Sequence, residues 1–170
     1  MRHPLVDQLR FTRSEFVRGI KGVSDGEVRR RVQPMNSISW NIGHLAMQEQ
    51  RYFLWRAQGE LPHPDIAKEF ATGAPGTTPP LDQVIEAWLE ITKQADPWLD
   101  QLTSRKLEEH TIYRGKPTQY VIGNLLQRVI YHYWYHCGEN QAIRQMLGHA
   151  GLPQFVGDID GRAPYRPERA

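Results

Sequence analysis

Apolar residues recur at helical spacing in four stretches of this chain, and Gly and Pro mark the breaks between them. Leu5, Leu9, Phe16 and Ile20 share one face of a helix predicted from Leu5 to about Lys21, with Gly22 as its stop. Asn36 or Ser37 can cap a second helix, which carries SISWNIGHLAMQEQRYFLW and runs to about Gln58, before Gly59 and Pro62. The next stretch, GELPHPDIAKEFATGAPGTTPP, has no period and reads as a long surface connection with a lid role open to it. After Pro79 and Pro80, the positions Leu81, Val84, Ile85, Trp88, Ile91, Ala95, Trp98 and Leu102 mark a third helix, with Pro97 as a kink or first break. A turn around Arg114, Gly115, Lys116 and Pro117 leads into the longest pattern, a fourth helix from about Thr118 to Leu147 that Gly148 closes.

With no convincing strand alternation, repeat or low-complexity tract, the pattern predicts an all-α four-helix bundle. A single domain is expected over residues 1–170, with its core at about 5–149 and an irregular tail from 150 to 170 that carries Pro153, Pro164 and Pro167. A chain of 170 residues is long enough to bury a core without disulfides or metal staples.

Charge and cysteine content narrow the chemistry. The 21 Lys and Arg against 19 Asp and Glu leave a net charge of +2, and the basic residues are scattered, so nucleic-acid binding is not expected. Cys137 is the only cysteine, which excludes an intrachain disulfide and a site of several thiolates and suits a reducing cytosol. The N-terminal MRHPLVDQLRFTRSEF lacks the apolar core of a signal peptide, and no later run approaches a membrane span; a cytoplasmic protein is expected. Trp55, Trp88, Trp98 and Trp134 offer more aromatic surface than one bundle seam needs, which predicts a homodimer.

Any metal must therefore be held by histidine and carboxylate. His132 and His136 stand four residues apart, one above the other on a helix face. Spacing alone is a weak signal, but Leu125, Val129, His132, His136, Glu139 and Ile143 follow steps of 4, 3, 4, 3 and 4, the interior row of a bundle helix. Two imidazoles and a carboxylate in one interior row are costly to bury without a shared partner. On the second helix, Trp40, His44, Met47 and Leu54 form a similar row, which makes His44 the candidate third ligand. Three imidazoles at about 2.0–2.2 Å from a divalent ion leave coordination positions for water or substrate. The bland reading is that these histidines are hydrogen-bonded core residues. Glu139 has three open roles: taking a proton, coordinating, or pairing with Arg144 at the surface. His3, His63, His110 and His149 fall near termini or in loops and are left outside the site. Cys137 is turned about 100° from its neighbouring ligand and reads as a packed thiol. Tyr133, Trp134 and Tyr135 read as core and interface aromatics.

The segment SWNIGHLAMQEQRYF, followed on the last helix by HYWYHCGENQAIRQMLGH, resembles the DinB/YfiT-like superfamily over about Leu5 to His149. The resemblance implies a four-helix bundle in which His44, His132 and His136 hold one divalent metal ion, with zinc, nickel or iron as candidates. Many relatives carry Gln where this chain has Glu139, so the charge beside the metal differs. The superfamily includes bacillithiol S-transferases, a mycothiol-dependent isomerase and domains fused to ergothioneine-synthesising enzymes. What this implies is a metal-dependent enzyme that activates a low-molecular-weight thiol (S-transferase type) or a water (hydrolase type) toward a small-molecule substrate. The alternative is a non-catalytic metal-binding or stress-response interaction domain.

Overall fold

Pro4 at the first helical position, and His3 Nδ1 accepting from the Leu5 amide at 3.1 Å, start the first long helix, α1 (Pro4–Ile20). The computed structural model describes residues 2–154 and 156–167; the parts of the tail at 155 and 168–170 lie outside the described residues. After the short α2 (Asp25–Arg29), Ser37 caps α3 (Ile38–Glu49) by accepting from the Trp40 amide at 3.1 Å. The helix does not run on unchanged to Gln58, as the apolar pattern predicts. Residues Gln50–Arg56 widen into a π-helical turn.

The long connection after Gly59 is not structureless either. It carries α4 (Pro64–Glu69), and the Gln50 amide clamps the loop before it, donating to the His63 carbonyl at 2.9 Å and accepting from the His63 amide at 2.7 Å. Helix α5 (Leu81–Leu99) keeps Pro97 within its last turn and ends before the buried Leu102. A short α6 (Ser104–Leu107) follows.

The expectation of a fourth helix from Thr118 is corrected. Residues His110–Tyr113 (β1) and Lys116–Val121 (β2) form a two-stranded antiparallel hairpin, and α7 (Ile122–Met146) starts only after it. Tyr113 pairs with Lys116, so the loop is the two residues Arg114 and Gly115. Both have positive φ, 49° and 75°, the turn geometry whose twist suits a tight hairpin. The run is too short and irregular to show an alternating pattern: only Thr111 in β1 is buried, and the register slips between His110 and Ile112.

The structure is nonetheless mostly helical, and one hydrophobic core draws on all four long helical segments, with α1 packed on α7, α3 on α5, and α3 on α7. Phe16 meets Tyr133 edge-on at 5.5 Å and Trp88 at 6.2 Å in its centre. The tail lies along α1: Gln8 Nε2 donates to the Ala163 carbonyl at 2.7 Å, beside one helical turn, α8 (Ile159–Arg162). No described helix is long and apolar enough to cross a membrane. Of the tryptophans that suggested self-association, Trp88 is buried and bonded inside the core, whereas Trp55 is exposed.

Running through the apolar core is a chain of polar bonds that joins the same helices. Glu49, at 0% exposure, accepts from Arg13 on α1 in a two-bond ion pair and from the Tyr133 hydroxyl on α7 at 2.7 Å. Tyr133 in turn accepts from Trp88 Nε1 on α5 at 2.6 Å, and Arg13 also donates to Asp96 on α5 at 2.7 Å. Burial alone would lower the Arg13 guanidinium, but the Glu49 charge beside it holds it above its ordinary value. Burial, with the Glu49 charge, pushes the Tyr133 phenol well above its own.

Removing one member of a buried, paired set leaves the others without compensation. Glu49→Ala is expected to lower the unfolding free energy by about 3–5 kcal/mol, and Tyr133→Phe by about 1–3 kcal/mol. Urea denaturation of the two variants checks this; an effect of Glu49→Ala no larger than that of an exposed-residue change would show that the network does not hold the helices together.

Candidate metal centre

The interior rows on α3 and α7 meet. His44, His132 and His136 bring ligand atoms that all lie within 4.8 Å of one another, and their ring centroids are 4.9, 5.5 and 4.5 Å apart in the pairs 44–132, 44–136 and 132–136. His44 and His136 are buried and His132 is half-buried. The site therefore sits at the edge of the core, with the exposed Tyr135 ring 5.2 Å from His136 at its rim.

Each imidazole is anchored through Nδ1 by a different acceptor. His44 Nδ1 lies 2.7 Å from the Phe70 carbonyl, His132 Nδ1 2.6 Å from Gln48 Oε1, and His136 Nδ1 2.7 Å from Glu139 Oε2. A carbonyl can only accept, and so can an ionised carboxylate, so Nδ1 carries the hydrogen. The proton-free nitrogen on each ring is then Nε2. Two of these, on His132 and His136, face each other at 3.0 Å. Neutral rings in this arrangement aim lone pair at lone pair, which is unfavourable unless a cation lies between them.

A proton on His132 is a poor choice for that cation. Burial, followed by the neighbouring His136 and His44, lowers the His132 pKa to about 3, and burial likewise lowers that of His44. A metal ion fits the donor set. Two nitrogens bound tetrahedrally at about 2.0–2.1 Å stand about 3.3 Å apart, close to the observed separation. Among the described residues the cluster contains these three side chains and no fourth ligand.

Glu139 Oε2 also accepts from Asn41 Nδ2 at 3.0 Å, and Asn41 Nδ2 reaches Asn140 Oδ1 at 2.9 Å. The carboxylate thus stands behind a ligand and does not pair with Arg144, which instead bonds the Gly19 carbonyl and His149. Trp40 stacks on His44 with centroids 4.7 Å apart and planes 13° from parallel.

The residues outside the expected site have structural partners. His3 caps α1, His63 pairs with Glu90 at 2.9 Å, His110 bonds the Thr118 carbonyl at 2.8 Å, and His149 pairs with Glu27 at 2.9 Å. Burial, with Glu15 adding to it, pushes the Cys137 thiol up to about 12, so this side chain is no thiolate nucleophile. Reading the sequence missed Gln48, Asn41 and Phe70 as anchors. Gln48 was within reach, four residues from His44 on the same helix face. Phe70 contributes a backbone carbonyl, for which no side-chain motif exists.

Compared with known proteins, residues 8–139 match the family model described as the DinB superfamily. No curated protein matches the chain.

The anchor on His44 depends on a glycine. A Cβ on Gly43 would stand 2.6 Å from the Phe70 ring, so an alanine there must displace Phe70 and with it the carbonyl that holds Nδ1. Gly43→Ala is expected to weaken metal binding by about 10- to 100-fold, the usual cost of losing a ligand's outer partner. Gly138→Ala on α7, where an added Cβ meets nothing within 4 Å, should leave it unchanged. Competition with a chromogenic chelator measures both; equal affinities would mean that the Phe70 bond does not orient His44.

Proposed function

The chain belongs to the DinB superfamily, and from that membership and its three-histidine cluster we propose that it is a divalent-metal-dependent enzyme acting on a low-molecular-weight thiol or on water. The observation that carries the reading is the 3.0 Å approach of two Nε2 atoms whose rings are both fixed with hydrogen on Nδ1. His44, His132 and His136 would hold the ion. When bound, a divalent ion among three neutral imidazoles keeps its full charge and lowers the pKa of a thiol or water beside it. Zinc, nickel and iron all suit such a donor set.

The protein's own part is to hold geometry and to take a proton. Glu139 spends Oε2 on His136 and Asn41, and the side chain retains 19% exposure. Its other oxygen is the candidate acceptor for the proton a substrate gives up, the role of a general base. That a carboxylate backs His136 also makes the imidazole a stronger donor to a metal. The absence of a fourth side chain from the cluster, among the described residues, supports a catalytic over a closed structural site. S-transfer from a thiol to an electrophile is the favoured reaction, and hydrolysis is its close variant. A buried, unpaired Cys137 accords with a cytoplasmic setting.

Elemental analysis and a reaction panel test this. His44→Ala, His132→Ala and His136→Ala should each lose most of the bound metal, while His63→Ala retains about one ion per chain. Glu139→Gln should keep metal better than any of the three and lower turnover by about 100-fold, the scale of one general base. The panel pairs small thiols with an alkylating electrophile, and offers activated esters for hydrolysis. Full metal occupancy in all three histidine variants would overturn the metal site; wild-type turnover in Glu139→Gln would remove the base.

A further inference from the structure

Away from the histidines, the hairpin and the π-helical turn enclose a second feature. Between them lies a cavity of about 180 Å³. Its inner wall is Phe53, Trp98 and Leu125, of which Phe53 and Trp98 stack with centroids 6.0 Å apart and planes 27° from parallel. Ile112 of β1 also lines it. An apolar cavity of about 150 Å³ holds one benzene ring, so this one takes a six-membered ring with a small substituent.

The polar groups around the cavity are unbalanced. Arg56 and Lys106 line it against a single carboxylate, Glu109, and His110 is engaged with the Thr118 carbonyl. Arg56 is half-buried and lies over two rings, 5.3 Å from the Tyr52 centroid and 5.2 Å from that of Tyr120. Among the described residues, it makes no ion pair. A guanidinium set against two aromatic rings has fewer positions open to it and can offer a bidentate bond to a planar anion. The site stands apart from the metal centre. Leu125 and His132 share the inner row of α7, and seven residues of helix separate them by about 10 Å.

We infer that this cavity is a binding site for a small aromatic carboxylate, its ring against Phe53 and Trp98 and its carboxylate on Arg56, with Lys106 adding attraction from the rim. Apolar burial supplies the affinity and the cation pair selects the charge. The inference does not rest on the metal reading and is tested without reference to it.

Calorimetric titration of the full chain with benzoate, its neutral isostere benzamide and the cation benzylamine decides the matter. Benzoate should bind in the millimolar range and weaken several-fold when salt is raised from about 50 to 500 mM. Benzamide should bind at least about tenfold more weakly, and benzylamine not measurably. Arg56→Met should weaken benzoate about tenfold or more, with an unchanged circular dichroism spectrum. Should that variant fail to fold, Lys106→Glu, at an exposed position, should still weaken benzoate several-fold. Benzamide binding as tightly as benzoate, preference for benzylamine through Glu109, no benzoate binding at about 20 mM, or unaltered benzoate affinity in a folded Arg56→Met would each overturn the proposal.

Discussion

The carboxylate of Glu49, wholly withdrawn from water, takes hydrogen bonds from Arg13 on α1 and Tyr133 on α7 and is tied through them to Asp96 and Trp88 on α5. Burying such a charge is tolerable only while every partner is in place, because an unpaired ion in the core costs several kcal/mol. Apolar contacts would permit small slips of one helix along another. The polar chain does not, since a one-residue slip turns a side chain by about 100° and shifts it by about 1.5 Å. Four helical segments are therefore fixed in one mutual register by a single acid. Glu49 lies on the same helix as His44, and Tyr133 directly follows His132. The bonds that close the core thus also decide which turn of α3 faces which turn of α7, and with that whether three imidazoles converge.

Convergence alone would not make a metal site. What distinguishes this cluster from core histidines satisfied by one another is that each ring already has a partner on Nδ1, drawn from a different source: a loop carbonyl, a helix amide and a carboxylate. These acceptors settle the tautomer, and the tautomer places the lone pairs inward. The charge balance follows from the same set. With a divalent ion bound, three neutral rings would leave it at +2, and Glu139 behind His136 would bring the centre nearer to +1. A glutamine there would preserve the hydrogen bond but not the charge. The reactivity of a thiol or water bound there would depend on that difference, because a smaller net charge lowers the pKa of the group beside it by less.

The sequence was readable wherever periodicity and side-chain chemistry coincide. The rows Leu125 to Ile143 and Trp40 to Leu54 located the three histidines that cluster, because both are interior faces of long helices, and of the two cap candidates Asn36 and Ser37 it is Ser37 that caps α3. The hairpin escaped notice because a single buried residue, Thr111, cannot produce an alternation, and because Pro117 in a strand argues against one except at an edge, where β2 lies. The core network escaped for a different reason. Arg13 and Glu49 are indistinguishable in sequence from the exposed charges around them, and only the packing of four segments reveals that they are buried together. Similarly, no residue type encodes the Phe70 carbonyl. Its role depends on where α4 ends, and that in turn depends on Gly43 allowing the Phe70 ring to lie against α3.

That last contact makes the long connection part of the metal centre. The loop is held at one end by the two bonds between Gln50 and the His63 backbone, and beyond α4 by the Phe70 ring buried at Gly43. Its carbonyl then fixes the His44 ring. If the segment opened, His44 would lose the acceptor that selects its tautomer, and Nδ1 and Nε2 would compete for the proton. A metal held on Nε2 would need that nitrogen free, and would therefore favour the closed segment over the open one. Linkage requires the converse to hold with the same magnitude: an ion on the three histidines must stabilise the closed connection by the free energy that closure contributes to its binding. In this sense the order of the connection and the geometry of one histidine would be a single equilibrium.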